Sequence, residues 1–162
     1  MEYNYSKMES PVGRLHLLSD GTKLVGLIFD SNWKDFSLNY NGRIGRESDE
    51  LIRATEKELT EYFAGIRTTF DVDVGYAGTA FQQRAWESLR KIPFGKTICY
   101  SEQATEMKNP KAVRAVGRAN GQNRIAIIIP CHRVVGKNGS LTGFSGGIKI
   151  KEHLLKLESR RP

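Results

Sequence analysis

The sequence predicts an α+β protein whose two halves differ in character. The chain has 162 residues, which fits one or two small domains. Apolar runs of strand length occur in the first half, whereas several short helical patterns fill the second. Residues 1–75 hold nine Lys/Arg and thirteen Asp/Glu, a net charge of −4, and residues 76–162 hold sixteen and five, a net of +11. We therefore expect two domains, 1–75 and 76–162, joined near Gly75.

Composition narrows the class of protein. The chain is 39% apolar and 27% charged, values that argue against collagen-like, coiled-coil and disordered proteins. No apolar run approaches the roughly 20 residues that span a bilayer, and residues 1–5 lack the features of a signal peptide. Two cysteines, Cys99 and Cys131, are too few for a disulfide framework. These observations predict a soluble cytoplasmic protein without a membrane partner.

Two strands are predicted near the start of the chain. Residues 15–18 and 24–29 are apolar runs, and the Asp20-Gly21 pair between them is typical of a hairpin turn. Residues 31–47 show no period and are predicted to form a loop. His16, inside the first strand, is expected to be packed or exposed rather than a ligand.

One helix is predicted in the first half. Apolar side chains recur at helical spacing from about Asp49 to Ala64, and Gly65 is placed to end the helix in a left-handed conformation. The acidic residues of this half are scattered, and none of them predicts chemistry.

The second half opens on a helix signal. Thr79 and Gln82 have the spacing of a capping box, and the apolar face that follows ends near Ile92-Pro93. Ser101 is predicted to cap a short helix reaching about Met107. Asn109-Pro110 then predicts a cap with proline in the first helical position, opening a helix that runs to about Ala119. Two short helices with a tight break between them predict a helix-turn-helix.

Three more elements complete the second half. Residues 125–129 are an unbroken apolar run and predict a buried strand. Asn138-Gly139 predicts a turn, so that residues 133–144 could form a hairpin or wing. Residues 148–158 predict a final helix.

The predicted second helix of the pair has a basic face. Lys111, Arg114 and Arg118 are spaced to share one side of a helix, and the positions between them are mostly small. Small residues and cations suit close approach to a nucleic-acid backbone with little reading of base sequence. Tight helix packing and an idle basic surface remain open as alternatives, although the net charge of this half favours a polyanionic partner.

The Cys131-His132 pair is the candidate for chemistry. A cysteine attacks as the thiolate, and a neighbouring imidazole promotes loss of the thiol proton. Neighbouring residues in a strand point to opposite faces, so His132 could act directly only where the chain is irregular, and Pro130 provides such an irregularity. A buried structural cysteine remains the alternative here.

Several motifs in order resemble the O6-alkylguanine-DNA alkyltransferase family. The clearest is Pro130-Cys131-His132-Arg133-Val134, which resembles the family's active-site signature. Further matches cover residues 79–158 closely, and Pro11-Val12-Gly13 weakly matches the family's N-terminal domain. The matching segments are Phe81-Gln82, residues 92–97, residues 112–117, Leu154-Leu155 and Glu158.

The resemblance implies a fold and a reaction. The fold would be a small ribonuclease H-like domain followed by a helical winged-helix domain. Cys131 would accept an alkyl group from O6 of guanine, and less readily from O4 of thymine, as a stable thioether, so that each molecule reacts once. His132 would activate Cys131 through a water molecule, and Glu158 would orient His132.

The resemblance also implies how DNA is held. The partner would be double-stranded DNA carrying O6-alkylguanine, bound through its minor groove with the damaged base flipped out. Arg114 would fill the vacated stack, Tyr100 would assist rotation and donate a hydrogen bond to the base, and Asn123 would brace the hinge. The remaining candidates are the DNA contacts Lys111, Ala115 and Arg118 and the guanine-pocket residues Tyr100, Cys131, Val134, Phe144 and Ser145. A monomer is expected, and cooperative binding to DNA is left open.

The chain departs from the family pattern at three places. Arg124 replaces the usual proline after the hinge asparagine, Phe144 replaces a tyrosine, and Lys108-Asn109 replaces a glycine-containing turn. The loss of proline would loosen the hinge and add a cation near the DNA face. We expect neither a cofactor nor a metal site, since the three histidines and two cysteines form no metal-binding pattern.

Two other functions compete with alkyl transfer. A winged-helix damage sensor would bind DNA without chemistry, although inactive relatives lack the acceptor cysteine that is present here. A thiol hydrolase would use Cys131 and His132 repeatedly and would not need a basic helix.

Overall fold

A computed structural model describes residues 2–160, which fold into two compact units. The first unit comprises the chain up to Tyr76 together with Arg124–Ala126, and the second comprises Ala77–Asn123 and the chain from Ile127 onwards. Strands and helices occur in both, so the predicted α+β class is confirmed. Within residues 2–160, no helix is long and apolar enough to cross a membrane.

The first unit is built on a four-stranded sheet. Its strands are β1 (Glu2–Met8), β2 (Leu15–Ser19), β3 (Leu24–Phe29) and β4 (Arg43–Ile44), in the spatial order β3-β2-β1-β4. The first three pair antiparallel, and β4 runs parallel to β1. The predicted strands and the turn between them are confirmed, with Gly21 at a φ of +98°.

The predicted helix of this unit is α2 (Glu50–Phe63), which packs an apolar face against the sheet. Asp49 caps it by accepting a hydrogen bond from the Ile52 backbone N–H at 2.7 Å. Gly65, at a φ of +77°, follows its end as predicted.

The prediction of a loop over residues 31–47 is wrong. That segment contains most of α1 (Asp30–Asn39) and all of β4. Trp33, Phe36 and Tyr40 lie on one face with their rings stacked in series, but no residue of α1 is fully buried. The helix is therefore held by half-exposed aromatic side chains. Its few apolar residues do not produce a clear helical pattern in the sequence.

The second unit is mainly helical. Its helices are α3 (Ala80–Arg90), α4 (Tyr100–Glu106), α5 (Val113–Gly121) and α6 (Ile148–Ser159). Strands β5 (Ile98–Cys99) and β6 (Val134–Val135) pair in parallel. The capping box of Thr79 and Gln82 and the final helix are confirmed.

A buried amide pair fixes α5 against its neighbours. Gln103 of α4 and Asn120 of α5 exchange two hydrogen bonds, at 2.7 and 3.1 Å, and Gln103 also bonds to Ser88 of α3 at 3.0 Å. The Trp86 indole donates to the Ala119 carbonyl at 2.8 Å. Because all of these groups are buried, misplacing α5 would leave several of them unsatisfied.

Two predicted helix starts are wrong. Helix α4 begins at Tyr100, with Cys99 rather than Ser101 as the cap residue, and the Glu102 carboxylate accepts from the Cys99 backbone N–H at 3.2 Å. Helix α5 begins at Val113, because Asn109 and Pro110 belong to a turn that the Ala112 N–H closes on the Asn109 carbonyl.

The predicted set of basic residues on this helix changes as a consequence. Lys111 lies in that turn, so only Arg114 and Arg118 of the three predicted cations belong to α5. All three side chains remain exposed.

Two further predictions fail in the segment around Cys131. Residues 125–129 do not form a strand: Ile125 makes a single bridge to Leu27, and Ile127 takes a φ of +71° in a buried turn. The predicted turn at Asn138-Gly139 is present, with Gly139 at a φ of +81°, but residues 133–144 do not form a hairpin among the described residues, because β6 pairs with β5 instead. An apolar run signals burial in either case and cannot distinguish a strand from a packed turn.

Candidate active site

Cys131 lies at a sharp change of chain direction. Pro130, at φ −82° and ψ 65°, forms an inverse γ-turn in which the Cys131 N–H donates to the Ile129 carbonyl at 2.8 Å. The next residues, Cys131–Arg133, form one turn of 3₁₀-helix. The irregularity predicted at Pro130 is thus present, and the alternation of a strand does not apply to Cys131 and His132.

The thiol of Cys131 is nearly enclosed, with 8% of the residue exposed. Asn123 donates its side-chain amide both to the Ile129 carbonyl at 2.8 Å and to Cys131 Sγ at 3.3 Å. Burial raises the pKa of the Cys131 thiol, whereas the Asn123 hydrogen bond and the positive charge of Lys151 act in the opposite direction. The resting thiol therefore needs a base, and its thiolate already has partners.

His132 is fully buried and bonded to a carboxylate. Its Nε2 lies 2.7 Å from Glu158 Oε2. Burial lowers the pKa of His132 in spite of that carboxylate, so the imidazole is neutral at physiological pH and Nε2 carries the proton. Nδ1 is buried without a hydrogen-bond partner among residues 2–160, which leaves a lone pair available for a proton.

Arg133 holds the other side of Glu158. Its Nε donates to Oε1 at 2.8 Å and its Nη2 to Oε2 at 3.1 Å, while Nη1 donates to the Ile92 carbonyl at 2.7 Å. Although burial favours the neutral acid, hydrogen bonds and charge from His132 and Arg133 lower the pKa of Glu158 to about 2. Glu158 is therefore an anion that fixes both the position and the tautomer of His132.

A buried lysine connects the guanine-pocket candidates. Lys151 Nζ donates to the carbonyls of Val134 and Thr142, and the latter also accepts from the Tyr100 hydroxyl at 3.1 Å. The Lys151 ammonium lies 5.9 Å from the Phe144 ring centroid. Burial and the neighbouring Cys131 raise the pKa of Tyr100, which keeps its hydroxyl protonated as a donor. Tyr100 is thus connected to Lys151 through the shared Thr142 carbonyl, and the Lys151 ammonium also contacts Val134 and Phe144.

Ser145 lies in the glycine-rich loop that follows Thr142. With Phe144 it lines a shallow depression of about 810 Å³, whose wall contains neither Cys131 nor Tyr100. The glycine-rich loop there includes Gly143 at φ +66°, where an added Cβ would sit 3.2 Å from the Tyr100 hydroxyl oxygen. A side chain at residue 143 would therefore crowd Tyr100.

The predicted DNA-contacting residues of α5 lie on one exposed surface. Arg114, Ala115 and Arg118 line a groove of about 400 Å³ between the start of α3 and α5. The Gln82 side chain closes one end of the groove by donating to Gln122 at 2.7 Å. Lys111 is not among the residues lining it.

The sequence analysis did not select Arg133 and Lys151, although both bond to groups of the candidate site. A signal was available for Lys151, because Lys151, Leu154 and Glu158 fall on one face of α6 and are the residues that this helix buries. Arg133 had no such signal, since its partners lie 25 and 41 residues away in the chain. Among residues 2–160, no group of three His, Cys, Asp or Glu side chains is arranged to hold a metal ion.

Comparison with protein families matches both parts of the chain. Residues 3–76 match the ribonuclease-like domain of 6-O-methylguanine DNA methyltransferase, and residues 80–160 match the DNA-binding domain of the same family. The predicted fold class, a ribonuclease-like part followed by a DNA-binding part, is confirmed.

Individual relatives match over nearly the whole chain. The methylated-DNA–protein-cysteine methyltransferase of Methanosarcina acetivorans is 45% identical over 95% of this chain and 97% of its own length. The constitutive enzyme of that name from Bacillus subtilis is 39% identical, over 95% and 94%. The crystal structure of Mycobacterium tuberculosis OGT in complex with DNA superposes with a TM-score of 0.86 at 41% identity, covering 98% of this chain and 93% of that one. The chain therefore belongs to the 6-O-methylguanine DNA methyltransferase family.

Proposed function

We propose that this protein repairs DNA by direct reversal, taking the alkyl group of O6-alkylguanine onto Sγ of Cys131. The observation that carries the proposal is a neutral, buried imidazole, that of His132, which is fixed by the Glu158 anion at 2.7 Å and directly follows the buried Cys131 in the chain. Membership of the family supports the choice of DNA as substrate.

His132 is the base in this proposal. Its Nε2 proton is engaged by Glu158, so Nδ1 receives the thiol proton through a bridging water. The Glu158 carboxylate does not compete for that proton, since it is already bonded to His132 and Arg133. The resulting thiolate keeps the Asn123 hydrogen bond and lies near the Lys151 cation.

The transfer itself is a single displacement. Sulfur forms a bond to the alkyl carbon, the bond from that carbon to O6 breaks, and its electron pair stays on guanine. Tyr100 leaves the Thr142 carbonyl and donates to the guanine as this charge develops. The product is a thioether, which has no route back to a thiolate in this site, so each molecule reacts once.

DNA binding is assigned to the second domain, residues 76–162, with residues 1–75 acting as a scaffold. The exposed face of α5 carries small side chains beside Arg114 and Arg118, which suits the minor groove. The damaged base is flipped out to reach a thiol as enclosed as Cys131, and Arg114 fills the gap in the stack. Lys111 and Ala115 add contacts to the backbone, the loop after β6 acts as a wing, and one protein molecule binds each lesion.

Intact-protein mass spectrometry tests the reaction. The protein is mixed with a duplex containing one O6-methylguanine, and we expect a gain of one methylene per molecule that saturates and maps to Cys131. Cys131→Ser should gain nothing while binding the duplex as before, and Cys99→Ser should behave as wild type. An unchanged mass with preference for the lesion would favour a damage sensor, and repeated release of product would favour a hydrolase.

The role of Arg114 is tested by comparing two substrates. Arg114→Ala should slow transfer from duplex DNA by roughly a hundredfold or more, because base flipping is lost, and should change transfer from free O6-benzylguanine by less than about twofold. Equal losses on the two substrates would contradict the assignment.

A further inference from the structure

Arg124 makes both backbone and side-chain contacts within the first unit. Its backbone carbonyl accepts from the Leu27 N–H at 2.8 Å, and Ala126 donates back to the Leu27 carbonyl at 3.0 Å, so that Arg124–Ala126 lies along β3. Its guanidinium lies 5.8 Å from the ring centroids of both Phe36 and Tyr40. The exposed Arg124 guanidinium thus lies against two aromatic rings of the first unit.

The residues on either side of this anchored segment form the cysteine site. Asn123, one peptide bond before Arg124, holds Cys131 Sγ and the Ile129 carbonyl with one amide group. Ile127, just after the segment, is a β-branched residue at φ +71° and 1% exposed. A β-branched residue in the left-handed region is strained, and such a conformation persists only where both ends of the segment are tied.

We propose, on the basis of the alkyl-transfer function above, that Arg124 is a positioning residue: its contact with Phe36 and Tyr40 fixes the backbone that carries Asn123 and thereby keeps the Asn123 amide on Cys131. The guanidinium supplies the restraint that a proline ring would supply at this position. The Arg124 N–H donates to no residue in the described part of the chain, so a proline here would forfeit no hydrogen bond.

The chemical consequence follows from the Asn123 hydrogen bond. An N–H that donates to sulfur stabilises the thiolate more than the thiol. If the Asn123 amide is no longer held in place, Cys131 should lose its proton at higher pH and react more slowly. This effect is separate from any loss of stability caused by removing a cation from two aromatic rings.

The test measures the reactivity of Cys131 in two ways. Arg124→Met keeps the length of the side chain without its charge. We expect the pH midpoint of Cys131 modification by iodoacetamide, followed by peptide mass spectrometry, to move upward. We expect methyl transfer from an O6-methylguanine duplex to slow by about fivefold, the size of one lost hydrogen bond. Arg53→Met, an exposed arginine on α2, is the matched control and should change neither quantity.

Further variants separate positioning from stability. Arg124→Pro should restore the pH midpoint although it cannot restore the contact with the rings, and Arg124→Lys should restore it in part. Phe36→Leu, which retains Arg124, should reproduce the shift if Arg124→Met folds poorly. In an Asn123→Ala background, Arg124→Met should add nothing, because its effect passes through Asn123.

Three results would overturn the proposal. A lower melting temperature with an unchanged midpoint and transfer rate would make Arg124 a purely structural residue. Additive effects of the Asn123 and Arg124 substitutions, or an Arg124→Pro variant as impaired as Arg124→Met, would remove the link to Cys131. Absence of methyl transfer in the wild type would instead reject the proposed function, and the iodoacetamide profile would still report on Arg124.

Discussion

The protein contains two buried histidines bonded to carboxylates, one in each unit, and their surroundings differ. His132 lies 2.7 Å from Glu158, and His16 lies 2.7 Å from Asp30. The Glu158 side chain is 1% exposed and shared with Arg133, whereas the Asp30 side chain is 61% exposed. Each unit therefore contains a hydrogen-bonded pair of an imidazole and a carboxylate, but of the two carboxylates only that of Glu158 is shielded from water.

The second nitrogen of each ring marks a further difference. His16 Nδ1 is hydrogen-bonded to the Tyr5 hydroxyl at 2.6 Å, and the ring stacks on Trp33 at a centroid distance of 4.3 Å. His132 Nδ1 has no partner among residues 2–160 and adjoins a cysteine in the chain. A histidine with both nitrogens hydrogen-bonded acts as a structural link, whereas one with an unbonded nitrogen, next to a cysteine in the chain, matches the proton acceptor that the proposed reaction requires.

The largest effect expected from this comparison is on the rate of transfer. His132→Gln should slow methyl transfer from an O6-methylguanine duplex by roughly a hundredfold or more, because it removes the imidazole proposed to take the thiol proton. His16→Gln should change the rate by less than about twofold. The measurement is single-turnover transfer well below the melting temperature of each variant, and comparable losses in both would erase the distinction between the two histidines.

How far the sequence could predict these sites depends on whether the signal is local. The residues of the Pro130–Val134 motif stand together in the chain, so Cys131 and His132 could be selected directly. The link to Glu158 came only from resemblance, and the Arg133 contacts join distant parts of the fold, which no spacing rule predicts. The apolar run over residues 125–129 correctly predicted burial. It could not predict the left-handed conformation of Ile127, which is why the predicted strand is wrong.

In the first unit, the sequence analysis predicted a loop where the structure has a helix. Trp33, Phe36 and Tyr40 have helical spacing, but the polar residues between them obscured α1. The partners of His16 come from three elements, with Tyr5 on β1 and Asp30 and Trp33 on α1. The position of His16 in a strand therefore did not predict that both of its ring nitrogens are hydrogen-bonded.

The next effect concerns stability. Glu158→Gln keeps the shape of the side chain but leaves the buried Arg133 guanidinium without a counter-charge, which should lower the free energy of unfolding by about 3 kcal/mol or more. Asp30→Asn should cost much less, because that carboxylate is largely exposed to water. Urea denaturation of both variants measures the two values, and similar losses would show that enclosure of the carboxylate is unimportant.

Acid should weaken the protein through the same carboxylate. The pKa of Glu158 falls from an ordinary value near 4.5 to about 2, so its contribution to stability is complete above pH 4.5 and is lost as pH falls towards 2. That difference corresponds to a contribution on the order of 3 kcal/mol. Because burial also lowers the pKa of His132, an additional decline should begin below about pH 6.5.

Denaturation curves at several pH values separate these contributions. Between pH 4.5 and 2 the wild type should lose stability more steeply than Glu158→Gln. Asp30→Asn serves as the control for the other pair, since the hydrogen bond with His16 lowers the pKa of Asp30 as well. Equal slopes for wild type and Glu158→Gln would mean that the Glu158 carboxylate is not held as an anion in the folded protein.

The smallest effect tests whether a free imidazole nitrogen is sufficient for reactivity. Tyr5→Phe removes the hydroxyl that bonds to His16 Nδ1 and leaves this buried nitrogen without its partner, as in His132. We expect a loss of about 1 kcal/mol in the free energy of unfolding, because a buried polar atom is left unsatisfied. Neither the rate of methyl transfer nor the labelling pattern with iodoacetamide should change, because His16 has no thiol beside it in the chain. Tyr5→Leu, which also removes the ring stacked 5.0 Å from Trp33, should cost more. Were Tyr5→Phe to slow transfer at Cys131, the first unit would contribute more than a scaffold, and the contrast between the two histidines would have to be drawn from something other than their hydrogen bonds.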